Sequence, residues 1–516
     1  MTQTAPHAVV IGAGVAGLAT AALLGREGWR VTVCERTDAP GGRMGELSVD
    51  GFRFETGPSW YLMPEVFERF FAHFGTSPDA EYGLERLDPA YRVYSSNGRS
   101  LDVRTGHAVE LFDSVDPGSG ARLRAYLDQA AEIYRIAEEK FLYTTFSRPA
   151  DLVDGEVLRR LPELARLLTE PLASKAARVT RDPLLRQVLE YPAVFLASRP
   201  ERIPSLYHLM SHADLTAGVV YPRGGFAALG RAMVRVAEAQ GVRIRTGCEV
   251  TAITSTAGRA DGVRLADGER IVADAVISCA DLHHTENSLL PRGKRSYPER
   301  RWARRDPGPG VVLVLLGVRG ELPGLLHHTL FFDADWRADF DAVFSGPDGR
   351  RDLPAACSMY VCRASASDPT LAPAGCENLF MLVPTPADPA IGHGDAYGAA
   401  ESPTVRAIAD AAVARLGARL GVGDLAGRVV VRRTIGPADF AGRYHAWRGS
   451  ALGLAHTLGQ SAFLRGRNVS DKLDGLYYAG STTLPGVGVP MCLISAENVL
   501  TRMRERGERG FGGRPE

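Results

Sequence analysis

The residues with the clearest chemical potential stand at the start of the chain. Gly12, Gly14 and Gly17 sit between an apolar run at residues 8–11 and a helix-compatible stretch reaching about Glu27. A second apolar run, residues 31–34, ends in Glu35. This spacing predicts a strand, a glycine turn, a helix and a second strand. Gly12 permits the tight turn, Gly14 lets a pyrophosphate reach the backbone, and Gly17 allows close packing of helix on strand. The helix N-terminus then offers free N–H groups to the phosphates, with Ala16 in its first turn. A carboxylate at Glu35 can accept both hydroxyls of an adenosine ribose and would repel a 2′-phosphate. Ala21 and Gly28 are read as further small residues on the helix face nearest the sheet. The chemistry implied is dinucleotide binding.

Downstream, Glu35-Arg36 is followed by Gly41-Gly42-Arg43-Met44 and then by Phe54-Glu55-Thr56-Gly57-Pro58. Two later stretches have the same character. Val219-Val220-Tyr221-Pro222-Arg223-Gly224-Gly225-Phe226 leads through a helical stretch to a strand around Val250. Ala479-Gly480-Ser481 leads through Pro485-Gly486-Val487-Gly488-Val489-Pro490-Met491 into an apolar helix. Pro490 suits a first helical turn. The glycines allow N–H groups to approach a ring edge, where the helix dipole stabilises negative charge.

Together these segments resemble the extended FAD-binding signature of the flavin amine oxidase and carotenoid desaturase superfamily. That resemblance implies FAD as cofactor. It places Arg36, Gly42, Arg43 and Gly57 near pyrophosphate and flavin, and the Val250 backbone at the adenine. It also places Gly480, Ser481, Gly488, Val489 and Met491 around the ribityl chain and flavin ring. Ser481 departs from the pattern, since many members carry an acidic residue there. The run from Tyr444 to Val499, with His456-Thr457-Leu458 and Gln460-Ser461, is similar to bacterial-type phytoene desaturases. Leu185-Arg186, Pro200, Tyr207, Ala280-Asp281 and His284-Thr285 follow in that family's order.

Three separated segments building one nucleotide site imply inserted domains. The expected fold is α/β. A Rossmann-like FAD-binding domain takes residues 1–75, 217–285 and 466–512. A sheet-based substrate domain takes 76–115 and 286–465, with strands at 311–318 and 379–383 and a helix around 405–416. A helical lid or membrane-facing insertion takes 116–216, where Leu123, Tyr126, Leu127, Ala130, Ile133, Tyr134 and Ala137 recur at helical spacing.

Composition bounds the partners. The 516 residues carry 60 basic and 60 acidic side chains, so nothing global favours nucleic acid. Hydrophobic residues at 45% and charged residues at 23% indicate a globular chain with a sizeable core. Seven scattered cysteines without a CxxC pair fit a reducing cytoplasm, and no secretory signal is expected. The longest apolar run, residues 311–316, is too short to span a bilayer, so membrane contact is expected to be peripheral, at the inner face of the cell membrane. Phe141-Leu142-Tyr143 and Phe146, lying between Lys140 and Arg148, are either an interfacial anchor or helix core. No metal is expected, because the neighbours His283-His284 and His327-His328 have no cysteine or carboxylate at ligand spacing. Cys492 is read as packing rather than as a covalent flavin attachment.

The resemblance implies FAD-dependent desaturation of a linear carotenoid precursor such as phytoene, by hydride transfer to flavin. The partner is then a long apolar polyene; the oligomeric state stays open. The alternatives are a carotenoid isomerase, ketolase or saturase, an amine or protoporphyrinogen oxidase, or a flavin-free prenyl-binding chaperone. Amine oxidases of this superfamily set a lysine near the flavin, and this chain has four lysines, none in a recognisable match. Arg148 and Asp151 stand where family members place charged residues, and Asp151 is either an assistant to proton loss or a helix cap.

Overall fold

The apolar run at residues 8–11 becomes the central strand of a parallel sheet. The chain is described by a computed structural model over residues 5–147, 155–334, 336–344 and 358–511. The sheet order is Leu476–Tyr478, Ala275–Ser278, His7–Ile11, Arg30–Cys34 and Arg243–Arg245. Every pairing in it is parallel. A parallel sheet covered on both faces selects continuous apolar runs rather than alternation, and the first strand and Ala275–Ser278 are buried along their length. All three separated segments therefore meet in one sheet. The helix Val15–Arg26 is buried from Val15 to Leu24 and packs against both Gly225–Ala239 and Val489–Glu505. A helix apolar on every side is a helix surrounded by protein. Gly28 differs from the expectation: it stands past the helix end with φ +86°, as a turn residue. The small residue that admits a neighbour is Gly25, whose Cβ would lie 2.8 Å from the Gln240 carbonyl oxygen.

The second sheet has seven strands, in the order Val429–Ile435, Pro309–Arg319, Cys376–Pro386, Met359–Cys362, His328–Phe331, Tyr91–Tyr94 and Ser100–Val103. Its pairings are antiparallel except His328–Phe331 with Tyr91–Tyr94. Alternation along Pro309–Arg319 splits its side chains between two cores. Val312, Val314 and Leu316 pack with Val405, Ala409 and Leu416 of the helix Pro403–Leu420. Val311, Leu313 and Leu315 join the core that also holds the first strand and helix. One face of this sheet is thus turned toward the nucleotide-binding half.

Between Ala108 and Ala217 the described chain is helical. Leu123, Tyr126, Ala130 and Ile133 form the buried stripe of Ser119–Ile136. Phe141, Leu142, Tyr143 and Phe146 are half-buried. Leu142 and Tyr143 pack on the main core, the Arg69 guanidinium lies 4.0 Å from the Tyr143 ring centroid, and Asn498 donates to the Leu142 carbonyl. Much of this aromatic surface is consumed by protein contacts. Arg148 and Asp151 lie outside the described residues.

Asp214 joins the helical part to the sheet. It is buried and accepts a 2.8 Å hydrogen bond from the Tyr91 hydroxyl, with the Tyr191 hydroxyl also beside its carboxylate. Burial pushes its carboxyl up to about 7. The folded value exceeds the unfolded one of about 3.9. Its stabilisation is therefore complete at acid pH and lost as pH rises through about 7. Glu55 and Glu190, raised by burial to about 7 and about 8, act in the same direction. Asp214→Asn should flatten the fall in unfolding free energy between pH 5 and 8 by about 2–3 kcal/mol. Urea titrations across that range check this, and an unchanged pH slope would count against a neutral Asp214.

Candidate functional site

The first glycine turn has the geometry that its spacing dictates. Gly12 adopts φ +95° and donates to the Cys34 carbonyl at 2.8 Å. A Cβ on Gly17 would sit 1.9 Å from the Gly12 carbonyl oxygen, so no side chain fits there. Around Gly14 the space is open, with nothing within 4 Å of where a Cβ would be. Gly14 also caps the helix Val15–Arg26, with Ala16 buried in its first turn. The first-turn N–H groups lack intrahelical acceptors and carry the positive end of the helix dipole. An open concavity of this kind suits a pyrophosphate.

Later glycines close over this turn. Gly41 donates to the Ala13 carbonyl at 2.9 Å, and a Cβ on Gly42 would lie 3.2 Å from the Gly14 Cα. Arg43 follows, half-buried, with its guanidinium 5.7 Å from the Tyr444 ring centroid and its Nε buried without a partner. This donor stands beside the open cradle, where an anionic ligand would satisfy it. Gly57 serves differently: its Cβ would lie 2.0 Å from the Arg43 carbonyl oxygen, so it lets the strand Phe52–Glu55 lead back against Arg43. Glu55 accepts from the Phe226 N–H, and a Cβ on Gly225 would meet its carboxylate at 2.4 Å. The first and second segments are locked together there.

Glu35 marks the adenosine end. Its carboxylate is buried and accepts from the Ala13 N–H at 2.8 Å, the Thr37 N–H at 2.9 Å and the Thr37 hydroxyl at 2.7 Å. Two carboxylate oxygens offer about four acceptor sites, which leaves capacity for a ribose hydroxyl. Cys248 donates to the Glu35 carbonyl at 2.7 Å, bringing the strand Val250–Thr256 alongside with Val250 buried. Arg36 is occupied by protein, donating to the Gly442 carbonyl at 2.6 Å and pairing with His445 Nε2 at 2.9 Å. His445 stacks on His284 with centroids 3.8 Å apart.

The C-terminal loop approaches the same turn from the other side. Gly480, with φ +124°, places its Cβ position 3.8 Å from the Ala16 Cβ, and its N–H donates to Ser495 at 3.1 Å. Gly488, with φ +114°, caps the helix Val489–Glu505 and accepts from the Cys492 N–H at 3.0 Å. Val489 and Met491 lie in its first turn, whose N–H groups are free of intrahelical partners. Ser481 is half-buried, and its carbonyl accepts from Arg465 at 2.6 Å.

Sequence reasoning did not find Arg465. Its side chain is 1% exposed, and its guanidinium donates to the carbonyls of Ser481, Thr483, Leu454 and Gln460 with no carboxylate among its partners. Burial lowers it to about 10, so it stays charged at neutral pH. A buried cation beneath this loop adds to the positive potential of the helix terminus. In the sequence it is indistinguishable from the exposed Arg467 two residues later. Beside it, His456 Nε2 accepts from the Val487 N–H at 3.3 Å, and Nδ1 pairs with the Tyr207 hydroxyl at 3.0 Å. Burial holds this imidazole neutral. The first contact makes Nε2 the acceptor, so Nδ1–H donates to Tyr207. A Cβ on Gly486 would strike the His456 ring at 2.3 Å, which explains that glycine.

The remaining chemical residues are placed as follows. His283 pairs with Glu299 at 2.9 Å. The expectation that no cysteine stands beside His327 and His328 is corrected: cross-strand pairing puts Cys362 opposite His328, and donor atoms of the three lie within 4.8 Å of one another. Burial keeps both imidazoles neutral and raises the thiol, and the Arg363 charge further opposes a cation at His327. Cys492 is half-buried on the last helix, and burial raises its thiol to about 11, well away from a reactive thiolate.

The sheet order, the glycine cradle and the carboxylate beyond it define a dinucleotide-binding oxidoreductase of the two-sheet flavoprotein kind. The model of the flavin containing amine oxidoreductases matches residues 15–503, and the chain belongs to that family. Carotenoid 3,4-desaturase of Haloarcula japonica is 40% identical, over 96% of this chain and 97% of its own length. The zeta-carotene-forming phytoene desaturase of Myxococcus xanthus is 35% identical, over 96% of this chain and 93% of its own. Phytoene dehydrogenase of Streptomyces griseus is 35% identical, over 96% and 95%. Among solved structures, an oxidoreductase from Methanosarcina mazei superposes with TM-score 0.62 at 17% identity, covering 96% of this chain and all of that one. Putrescine oxidase bound to putrescine gives 0.59 at 16% identity, covering 98% and 100%.

The cofactor is FAD, and the open cradle at Gly14, the orphaned Arg43 donor and the remaining acceptor site of Glu35 fit it. Glu35→Ala should weaken FAD binding at least tenfold, since each charge-assisted hydrogen bond is worth about 1.5–3 kcal/mol. Flavin titration of the apoprotein by fluorescence checks this, and unchanged affinity would remove Glu35 from the site.

Proposed function

We propose that this flavoenzyme inserts double bonds into a linear carotenoid precursor, most simply phytoene. The observation that carries the reading is its end-to-end likeness to carotenoid desaturases at up to 40% identity. The sheet face turned toward the nucleotide half supports it. Trp60 stacks on His328 at 4.2 Å between centroids, and the rings of Tyr91, Tyr191, Phe195 and Tyr360 lie within 6.1 Å of it. An aromatic cluster of this kind is compatible with an uncharged polyene nearby, which offers no group for an ion pair. The amine oxidase reading is weakened by the lysines: the buried one, Lys175, lies in the helical part, within hydrogen-bonding contact of Gln129.

Each desaturation removes a hydride and a proton from neighbouring carbons. Bound FAD supplies the hydride acceptor. The protein's own residues hold the chain against that acceptor, exclude water and receive the proton. Arg43, Gly42 and the loop from Gly480 to Met491 are assigned to orienting the cofactor, and the Val250 backbone to its adenine; Arg36, held by Gly442 and His445, would act on the cofactor only through those neighbours. The positive charge developing on an allylic carbon is delocalised by the polyene, so no nucleophile is required. For the proton, Asp151 assisted by Arg148 is the proposed acceptor. The insoluble substrate implies contact with the cytoplasmic face of a membrane, and among the described residues no helix is long and apolar enough to cross one.

The test is incubation of the FAD-loaded protein with phytoene in vesicles and an added electron acceptor. Products with longer conjugation and red-shifted absorption are expected, while putrescine should leave the flavin oxidised. Asp151→Asn should keep flavin and fold but slow turnover about a hundredfold, the lower end of general base effects of about 10²–10⁴. Reduction by the amine, with phytoene unchanged, would overturn the reading.

A further inference from the structure

Charge is balanced over the whole chain but not between residues 292 and 306. That stretch holds seven Lys or Arg side chains against Glu299 and Asp306, a surplus of five in a chain whose net charge is zero. The short helix Glu299–Trp302 is anchored by buried Trp302 and leaves Arg300, Arg301 and Arg304 exposed. With Arg202 and Arg305 they line a surface cavity of about 760 Å³, in which Asp306 is the only acidic residue. The carboxylates at hand are already used: Glu299 pairs with His283 at 2.9 Å, and Asp306 accepts from the Gly308 N–H at 3.0 Å. Arg202, Arg300 and Arg304 form no ion pair among the described residues, although Glu201 is adjacent in sequence.

Apolar side chains stand on the turns next to this cavity: Leu458 is flanked in sequence by the lining residues Thr457 and Gly459. Arg305 donates to the Gly459 carbonyl at 2.9 Å and to the Leu464 carbonyl at 3.1 Å, pinning the turns that present Leu458 and Leu464. Those leucines are 51% and 43% exposed, among the most exposed large apolar side chains described. Clustered arginines next to protruding leucines combine the two features of an interfacial contact: phosphate recognition by guanidinium forks and insertion of apolar side chains. A soluble phosphate ligand would account for the arginines but not for the leucines. A single-stranded nucleic acid would call for stacking rings along a basic groove, whereas the two exposed apolar residues here are aliphatic.

We propose that this face docks on a bilayer containing anionic phospholipid, with phosphate headgroups entering the arginine cavity and Leu458 and Leu464 reaching the acyl boundary. The proposal rests on the desaturase reading only in that a water-insoluble substrate gives the protein reason to meet a membrane. It moves the contact away from the aromatic segment at residues 141–146, which is partly consumed by packing on the core.

The experiment is flotation of the FAD-loaded full chain with phosphatidylcholine vesicles, with and without about one third phosphatidylglycerol, at low and high salt. The wild type should float with the anionic vesicles, release as salt rises, and bind neutral ones weakly. Arg300→Gln, Arg301→Gln, Arg304→Gln together should lower the partition coefficient on the order of a hundredfold, from roughly fivefold per basic residue. Leu458→Ser, Leu464→Ser should weaken binding at every salt concentration. Flavin content and melting temperature of each variant confirm that the fold is intact. Equal flotation of the triple variant and wild type, or indifference to phosphatidylglycerol, would overturn the proposal. So would inorganic phosphate protecting the arginines in a protein that ignores vesicles, which would indicate a soluble ligand. Turnover of phytoene in detergent micelles separates the two readings: vesicle binding without desaturation sinks the functional reading alone, and desaturation without vesicle binding sinks the surface alone.

Discussion

The turn from Ile11 into the helix Val15–Arg26 leaves no volume for a side chain at Gly17, and the rest of the flavin half is assembled around that constraint. Because helix and strand touch there, the helix N-terminus is aimed at the open space beside Gly14. Four other stretches then bind to the same few residues. Ala13 is held through its carbonyl by Gly41 and through its N–H by Glu35. Cys279 donates to the Ile11 carbonyl, and Gly480 lies against Ala16. Residues hundreds of positions apart are thus fixed within a few ångströms of one turn.

Electrostatics follow from this convergence. Two helix N-termini, those of Val15–Arg26 and Val489–Glu505, open at the site, and Arg43 and Arg465 add full charges. The cofactor carries an anionic pyrophosphate at one end and a ring that gains negative charge on reduction at the other, so both ends meet positive potential. Arg465 has only carbonyl partners, and it couples the loop at residues 481–483 to the turn that carries Leu454 and Gln460. The loop conformation and the charge beneath it are therefore one feature.

Much of this was legible in the sequence because backbone geometry leaves a residue-level trace. Gly12, Gly17, Gly42, Gly57, Gly480 and Gly488 are glycines for reasons of φ or contact that no other residue satisfies, so their spacing reports the turn directly. Strands buried on both faces showed as unbroken apolar runs. What stayed hidden depends on tertiary neighbours. The close approach expected at Gly28 occurs at Gly25 instead, because only the packed helix shows which glycine faces Gln240. Arg465 and Arg467 look alike until burial distinguishes them, and His328 meets Cys362 only through cross-strand register. The cationic stretch at residues 292–306 is visible in composition, yet only the fold shows that its arginines share a cavity and that Arg305 ties it to the turns carrying the exposed Leu458 and Leu464.

The central claim is that three separated segments build one cradle, so that a single ligand orders all of them. Hydrogen exchange of the apoprotein with and without FAD tests this most directly. The account predicts joint slowing of amide exchange in residues 12–17, 35–43, 247–250 and 480–491, saturating at the same FAD concentration. Protection confined to residues 12–17, with the C-terminal loop exchanging as in the apoprotein, would contradict it.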